Sequence, residues 1–177
     1  MQIYNIDLLG KNILDFASIV DTCKEIINEN LQINGGTLKI SDIFERDYNW
    51  TNLIIATIDN QIVGFALIRT SNNMHNLTDV DFYYYLSDIV VKKNLKKQGI
   101  GKALMTEAVA CRDDAPLVAS ILNNNLAAMG LLSKFMTCYG FSKKGKYARF
   151  IDNRHYAKLY GDIDSELSES MHSKRAK

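Results

Sequence analysis

The segment that decides the fold is IVVKKNLKKQGIGKAL, from Ile89 to Leu104. It starts as the end of an apolar, β-branched strand and crosses a lysine-rich loop. It then turns at Gly99 and Gly101 into a segment whose apolar residues have helical spacing. Glycines let the backbone approach a ligand closely, and the start of a helix presents N–H groups that have no intrahelical partner. A turn of this kind between a strand and a helix is a candidate phosphate-binding site.

Two common nucleotide-binding motifs do not fit this turn. A Walker A loop requires glycine at position 96 and Ser or Thr at position 103, where the chain has Lys96 and Ala103. A dinucleotide-binding fingerprint requires a third glycine at position 104, where the chain has Leu104. Neither motif therefore predicts ATP or NAD as the ligand.

The apolar spacing around this turn predicts an α+β fold. Asp59 and Asn60 tolerate left-handed backbone angles, so the two apolar runs beside them form an antiparallel hairpin. The unit from 82 to 122 is strand, helix, strand, which forces one parallel pairing in a mixed but mostly antiparallel sheet. Helices are predicted over 13–30, 41–45, from 100 onward and over 126–138, and strands over 53–58, 62–68, 82–91, 117–122, 141–147 and 155–159.

Length and composition predict one compact domain over 1–160, followed by a flexible tail over 161–177. The chain has 177 residues, a net charge of +1 and 47% apolar residues, so neither disorder nor binding to nucleic acid is expected. No apolar run reaches the roughly 18–20 residues of a membrane span, and the first residues lack the pattern of a signal peptide. The three cysteines have no metal-ligand spacing, so no metal site is expected and the cytoplasm is the predicted compartment.

The segment from Ile89 to Leu104 resembles the acyl-CoA-binding motif of GNAT-type N-acetyltransferases. In that motif a strand is followed by Arg/Gln-x-x-Gly-x-Gly/Ala at a helix start, and Lys96 here replaces Arg or Gln with another positive charge. The resemblance spans 53–159 in the order of the family. It includes Val63-Gly64-Phe65 in the hairpin, Asn125 with Ala128, and Gly140-Phe141. It implies a GNAT-like fold in which helices flank the central sheet and the parallel strand pair lies at the acyl-CoA site.

This resemblance implies that acetyl-CoA is the cosubstrate and that a primary amine is the acceptor. Main-chain amides of the turn would hold the pyrophosphate, and an amide near the end of the preceding strand would face the thioester carbonyl. The residues implied for acetyl-CoA binding are Ile89, Val90, Val91, Lys96, Lys97, Gln98, Gly99, Ile100, Gly101, Lys102 and Asn125.

Two residues are implied for proton transfer. Asp88, three residues before Val91, is the candidate base, and strand alternation places it on the face opposite Ser87. The alternative is that Asp88 only pairs with a nearby lysine or faces solvent. The acid in the family is commonly a tyrosine four residues before Gly-Phe, and here that position is Met136. Tyr139 is the nearest phenol and the candidate acid, with packing at a helix end as its alternative.

Two other functions stay open at this point. A non-catalytic module that binds acyl-CoA as a regulatory ligand fits the absence of the usual tyrosine. An RNA-associated acetyltransferase acting on aminoacyl-RNA would use the lysine-rich segments. The resemblance also leaves room for a homodimer. Nothing in the sequence identifies the acceptor amine.

Overall fold

The computed structural model describes residues 1–8, 16–31, 50–71, 82–111, 114–142 and 144–159. The chain divides into two compact units between Ala115 and Pro116. The helix predicted at 41–45, the first three residues of the helix predicted over 13–30 and the tail predicted over 161–177 lie outside the described residues. No helix in the described ranges is long and apolar enough to cross a membrane.

The first unit contains an antiparallel sheet in the order β1-β2-β3-β4. Two helices and a single 3-10 turn accompany these strands within the described part of this unit. The elements are β1 (Gln2–Asp7), α1 (Phe16–Leu31), β2 (Trp50–Ile58), β3 (Gln61–Ser71), β4 (Tyr83–Val91), the 3-10 turn (Lys93–Leu95) and α2 (Ile100–Ala110).

The hairpin between β2 and β3 confirms the prediction made from its turn residues. Ile58 pairs with Gln61, which leaves a two-residue loop. Asp59 and Asn60 have φ values of 50° and 61°. Both values lie in the left-handed region that such a tight loop requires, and the short side chains of Asp and Asn tolerate it.

Strand β1 was not predicted. It pairs with β2 from Gln2 opposite Thr57 to Asp7 opposite Asn52. Its side chains are mostly exposed or half-buried. A strand at the edge of a sheet needs few apolar residues, so its sequence carries little of the alternation that identifies a buried strand.

The core of the first unit lies on both faces of the sheet, and α1 covers one of these faces. Helix α2 covers the other face of the sheet. Ile6 of β1 packs on the α1 side, so its neighbour Asn5 points to the opposite side. There Asn5 donates from Nδ2 to Glu107 Oε1 of α2 at 3.1 Å. The cluster beneath α1 comprises Cys23, Ile26, Ile27, Leu53, Ile55, Phe65 and Leu67, with Val90 of β4 packed against it.

The second unit contains an antiparallel sheet in the order β5-β7-β6. Strand β5 has the predicted bounds. The elements are β5 (Leu117–Leu122), α3 (Leu126–Leu132), β6 (Met136–Phe141), β7 (Tyr147–Asp152) and α4, residues 153–159.

Three predicted elements of this unit were wrong. The helix predicted over 126–138 ends at Leu132, and the next residues form a tight turn in which Phe135 N–H donates to the Leu132 carbonyl. The strand predicted over 141–147 is displaced, because β6 ends at Phe141 and β7 begins at Tyr147. Spaced apolar residues such as Met136 and Cys138 suit a helix as well as a strand, and pairing of β6 with β7 decides between them.

The third of these errors is the strand predicted over 155–159, which is helix α4. Asp152 is fully buried and starts this helix. Its Oδ1 accepts from the backbone N–H of His155 at 3.1 Å, and its Oδ2 accepts from Leu117 N–H at 2.8 Å. The ring Nδ1 of His155 lies 2.9 Å from Oδ2. An aspartate that caps the first turn of a helix favours helix over strand at this place.

Candidate functional site

The turn before α2 has the backbone of an anion-binding helix start. Lys97 and Gly99 have φ values of 65° and 85°, and Gly99, the residue before the helix, has no capping side-chain hydrogen bond. The first intrahelical bond runs from Ala103 N–H to the Gly99 carbonyl at 3.0 Å. The N–H groups of Ile100, Gly101 and Lys102 therefore have no partner within the helix. Partial positive charge at this end of the helix favours an anion.

The surroundings of the turn are positively charged. Lys93, Lys96, Lys97 and Lys102 are exposed, as are Gln98 and Gly99. Ile100 is only 1% exposed, so the helix start is anchored in the core. A shallow groove of about 410 Å³ opens beside the turn, lined by Ile3, Gly99, Lys102, Ala103, Thr106 and Glu107.

The end of β4 presents alternate backbone groups to β3 and away from it. Lys92 N–H donates to the Val63 carbonyl of β3 at 2.8 Å. Because backbone groups alternate in direction along an antiparallel strand, the N–H group of Val90 also points toward β3. The N–H groups of Ile89 and Val91 therefore face away from β3. Of the three strand-end residues that the resemblance implied, Val90 has its amide engaged in the sheet.

Gly64 allows β3 to approach the end of β4 closely. A Cβ atom at this position would lie 2.8 Å from the Val90 carbonyl oxygen and 3.3 Å from Val91 Cα. Backbone atoms cannot give way as the end of a flexible side chain can. Any larger residue at 64 would therefore push β4 at the residues predicted to face the thioester.

Asp88 lies on the α1 face of the sheet. It pairs with Leu67, and Val90 pairs with Phe65. Paired residues share a face, and both β3 partners belong to the cluster beneath α1, so Asp88 and Val90 share a face as predicted. Burial raises the pKa of Asp88 to about 6, and the positive charge of Arg69 partly opposes this rise. A carboxyl group with that pKa is mostly ionised at neutral pH and accepts a proton more readily than an ordinary aspartate.

A β-bulge at Ser87 overturns the prediction that Ser87 points away from Asp88. Leu67 pairs with Asp88 while Ile68 pairs with Leu86, so Ser87 is the extra residue. Arg69, two residues beyond Leu67 and on its face, donates from Nε to Ser87 Oγ at 3.2 Å. Strict alternation fails at a bulge, and the Ser87 hydroxyl reaches the side of the sheet on which Asp88 lies.

The Arg69 side chain was missed by sequence reasoning. Its guanidinium carbon lies 4.8 Å from the centre of the Tyr85 ring, and β-sheet pairing places these two residues opposite each other. A stacked and hydrogen-bonded guanidinium is held in one orientation. A single arginine after the apolar run of β3 was the available signal, but the register that brings it near Asp88 cannot be read from the sequence.

The remaining predicted residues lie in the second unit. Asn125 caps α3 as predicted, and its Oδ1 accepts from Ala128 N–H at 3.2 Å. The Nδ2 group of Asn125 remains the part that could donate to a ligand. Tyr139 lies on β6, at a register shift between Cys138 and Gly140, and not at a helix end. Met136 is 2% exposed and packed in the core, so this position supplies no acid.

Comparison with known proteins decides the family. The model of the Acetyltransferase (GNAT) family matches residues 21–136. The chain belongs to this family. No curated protein matches the sequence at a significant level.

Several solved structures resemble this chain in fold. PH1933 from Pyrococcus horikoshii has a TM-score of 0.57 at 20% identity, over 85% of this chain and 98% of its own. ElaA from Escherichia coli has a TM-score of 0.60 at 11% identity, over 86% of this chain and 99% of its own. The ribosomal-protein-S18-alanine N-acetyltransferase from Escherichia coli has a TM-score of 0.50 at 16% identity, over 85% of this chain and 91% of its own. The predicted GNAT-like α+β fold is thereby confirmed.

Proposed function

We propose that this GNAT protein is an N-acetyltransferase that moves the acetyl group of acetyl-CoA to a primary amine. One observation carries the proposal. The N–H groups of Ile89 and Val91 that face away from β3 are followed, within the same segment, by the amides of Ile100, Gly101 and Lys102, which have no partner within the helix. A ligand that carries a thioester and a pyrophosphate needs both kinds of donor.

The residues of the turn bind and orient the cosubstrate, which supplies an activated acetyl thioester. Amides from Gln98 to Lys102 receive the pyrophosphate, with Lys96 and Lys97 adding positive charge beside it. Asn125 is assigned a contact through its Nδ2 group. At the strand end, the N–H of Val91, together with that of Ile89, stabilises the negative charge that develops on the acyl oxygen during transfer.

Asp88 takes the proton that the acceptor amine must lose. An alkyl ammonium group has a pKa of about 10.4 and no lone pair at neutral pH, so it needs a base. The raised pKa of Asp88, about 6, supports this assignment. Tyr139, on β6, is the assigned acid for the departing thiolate.

The proposal also covers the domain bounds, the compartment, the acceptor and the assembly. We assign residues 1–160 to one acetyltransferase domain, because the family match crosses from the first compact unit into the second. Residues 161–177 are assigned to a tail. All three cysteines lie in the described part of the chain and none forms a disulfide there, which supports a reducing, cytoplasmic setting. The acceptor is a small molecule or a protein, and a homodimer is the proposed assembly.

A second candidate function is a non-catalytic module that binds acyl-CoA. It is favoured by one observation: Met136 is buried in the core, at the position where the family commonly has the tyrosine that acts as the acid. Such a protein would use the same turn and strand end for binding. It would release no thiol when an amine is supplied.

Thermal unfolding and a thiol-release assay test both proposals. Acetyl-CoA at about 100 times its dissociation constant should add about 2.7 kcal/mol of stability. For a chain of this size that corresponds to a rise of about 5–10 °C in the midpoint, and ATP and NAD should give none. Release of free CoA with a panel of primary amines supports the enzyme, and binding without release supports the module. No stabilisation by acetyl-CoA at millimolar concentration contradicts both.

A further inference from the structure

Asn30, in the last turn of α1, bridges that helix to the end of β4. Its Nδ2 group donates to the Ile26 carbonyl of α1 at 2.8 Å and to the Val91 carbonyl of β4 at 3.1 Å. Two carbonyl oxygens on the same side fix the amide orientation, because only the nitrogen can donate to them. Both Nδ2 hydrogens are used, and the side chain is half-buried. The contact with Val91 joins residues 61 positions apart.

The Val91 carbonyl is on the side of β4 that faces away from β3. In an extended strand the N–H and C=O of one residue point to the same side. The bond from Asn30 therefore fixes the residue whose N–H group is assigned to the acyl oxygen. The next peptide is fixed as well, because Lys92 N–H donates to the Val63 carbonyl at 2.8 Å. Val91 is held from α1 by its carbonyl and from β3 through its neighbour.

We propose that Asn30 is a positioning residue for acetyl transfer, which holds Val91 so that its N–H group points at the acyl oxygen. The inference rests on the proposed function. Helix α1 also contacts the 3-10 turn that follows β4, so the end of this helix supports the strand end at two places.

Infrared difference spectroscopy of bound acetyl-CoA, labelled with carbon-13 at the acetyl carbonyl, tests the proposal without knowledge of the acceptor. A hydrogen bond from Val91 lowers the stretching frequency of the labelled carbonyl relative to free acetyl-CoA. In Asn30→Ala this band should move back toward the free value and broaden. The dissociation constant for CoA, which lacks the acetyl group, should change by less than about twofold, because the phosphate turn is untouched.

Turnover provides the second measurement. With an amine accepted by the parent protein, Asn30→Ala should lower kcat by about 10-fold to 100-fold, the range expected when a catalytic donor is misplaced by about 1 Å or less. Asn30→Asp has nearly the same shape but cannot donate to the Val91 carbonyl, so it should lose as much as Asn30→Ala. Asn28→Ala is the matched control, because Asn28 lies in the same helix turn, is exposed and is the same residue type. It should leave the band and kcat unchanged.

The outcomes separate this inference from the proposed function. If the parent protein neither binds acetyl-CoA nor releases thiol, the proposed function fails. If the parent is active and the band and kcat of Asn30→Ala match the parent, Asn30 has no positioning role. If Asn30→Ala unfolds earlier and loses CoA affinity and kcat in proportion, with the band unchanged in the bound fraction, the residue is only structural and the inference is overturned. Retention of kcat in Asn30→Asp overturns it as well.

Discussion

Replacement of Asp88 by asparagine should slow the reaction and stabilise the protein at the same time. The folded-state pKa of Asp88, about 6, lies above its ordinary value of 3.8, chiefly because burial penalises the charged form. The folded protein therefore holds this proton more tightly than the unfolded chain does. The contribution of Asp88 to stability falls as the pH rises from about 4 to about 6, and the full cost remains at higher pH.

The magnitude follows from this change in pKa. A rise of this size corresponds to about 3 kcal/mol of destabilisation above pH 6. An asparagine side chain is uncharged and nearly isosteric with aspartate, so Asp88→Asn should be more stable than the parent at pH 8 by up to about 3 kcal/mol, or about 6–12 °C in unfolding midpoint. At pH 3.5 the difference should nearly vanish. Turnover should fall by about 100-fold or more, the scale of a lost general base, with CoA affinity nearly unchanged.

Two measurements check this reasoning. The parent should show a kcat/KM that declines below a pKa of about 6, and this acidic limb should be absent from the residual activity of Asp88→Asn. Thermal unfolding of both proteins at pH 3.5 and pH 8 measures the stability change. Asp59→Asn is the control, because Asp59 lies in the exposed hairpin turn and its replacement should change neither quantity. Unchanged turnover from pH 6 to 9 would refute the role of Asp88 as base, and lower stability at pH 8 would show that its carboxylate is a favourable structural acceptor.

Three further predictions concern glycine contacts and a buried carboxylate. Gly101→Glu should abolish CoA binding in calorimetry, because it places a negative charge at the helix start. The far-ultraviolet circular dichroism should stay that of the parent. CoA binding equal to that of the parent would mean that the phosphates lie elsewhere. Gly64→Ala should destabilise the protein by about 1–3 kcal/mol in urea unfolding, the scale of overpacking, since its Cβ would lie 2.8 Å from the Val90 carbonyl oxygen. Asp152→Ala should lower the free energy of unfolding by about 3 kcal/mol or more, because two backbone N–H groups and the ring of His155 lose a buried acceptor. A thermal unfolding midpoint within about 1 °C of the parent would contradict this.

The sequence predicted those parts of the fold in which local chemistry and tertiary packing agree. Strand β5 is apolar at nearly every position, and the structure gives it the predicted bounds. The turn at Gly99 combines a left-handed backbone angle with a helix start, and both follow from the glycine pattern. Where local chemistry was ambiguous, pairing decided the outcome. The segment at Met136 could have continued α3, and it became a strand because β7 pairs with it.

The chemistry around Asp88 was only half predictable for a related reason. The candidate carboxylate came from the family resemblance, which implies a base near this position, three residues before Val91. Its neighbour Arg69 comes from another strand, through a register that includes a bulge at Ser87. A bulge shifts one strand by one residue against the other and leaves no reliable trace in the sequence. The contact of Asn30 with Val91 depends in the same way on how α1 packs on the sheet.

The lysines around the turn before α2 have a kinetic consequence. Exposed ammonium groups at Lys93, Lys96, Lys97 and Lys102 create a local positive field on a protein whose net charge is only +1. For a polyanion such as CoA, this field accelerates encounter and orients the phosphates before any contact forms. The Debye length falls from about 10 Å at 0.1 M salt to about 3 Å at 1 M, so salt should slow association steeply. In the proposed function, dissociation depends on short contacts with backbone amides and should change far less with salt. The association rate of the cosubstrate would then be set separately from its dissociation rate.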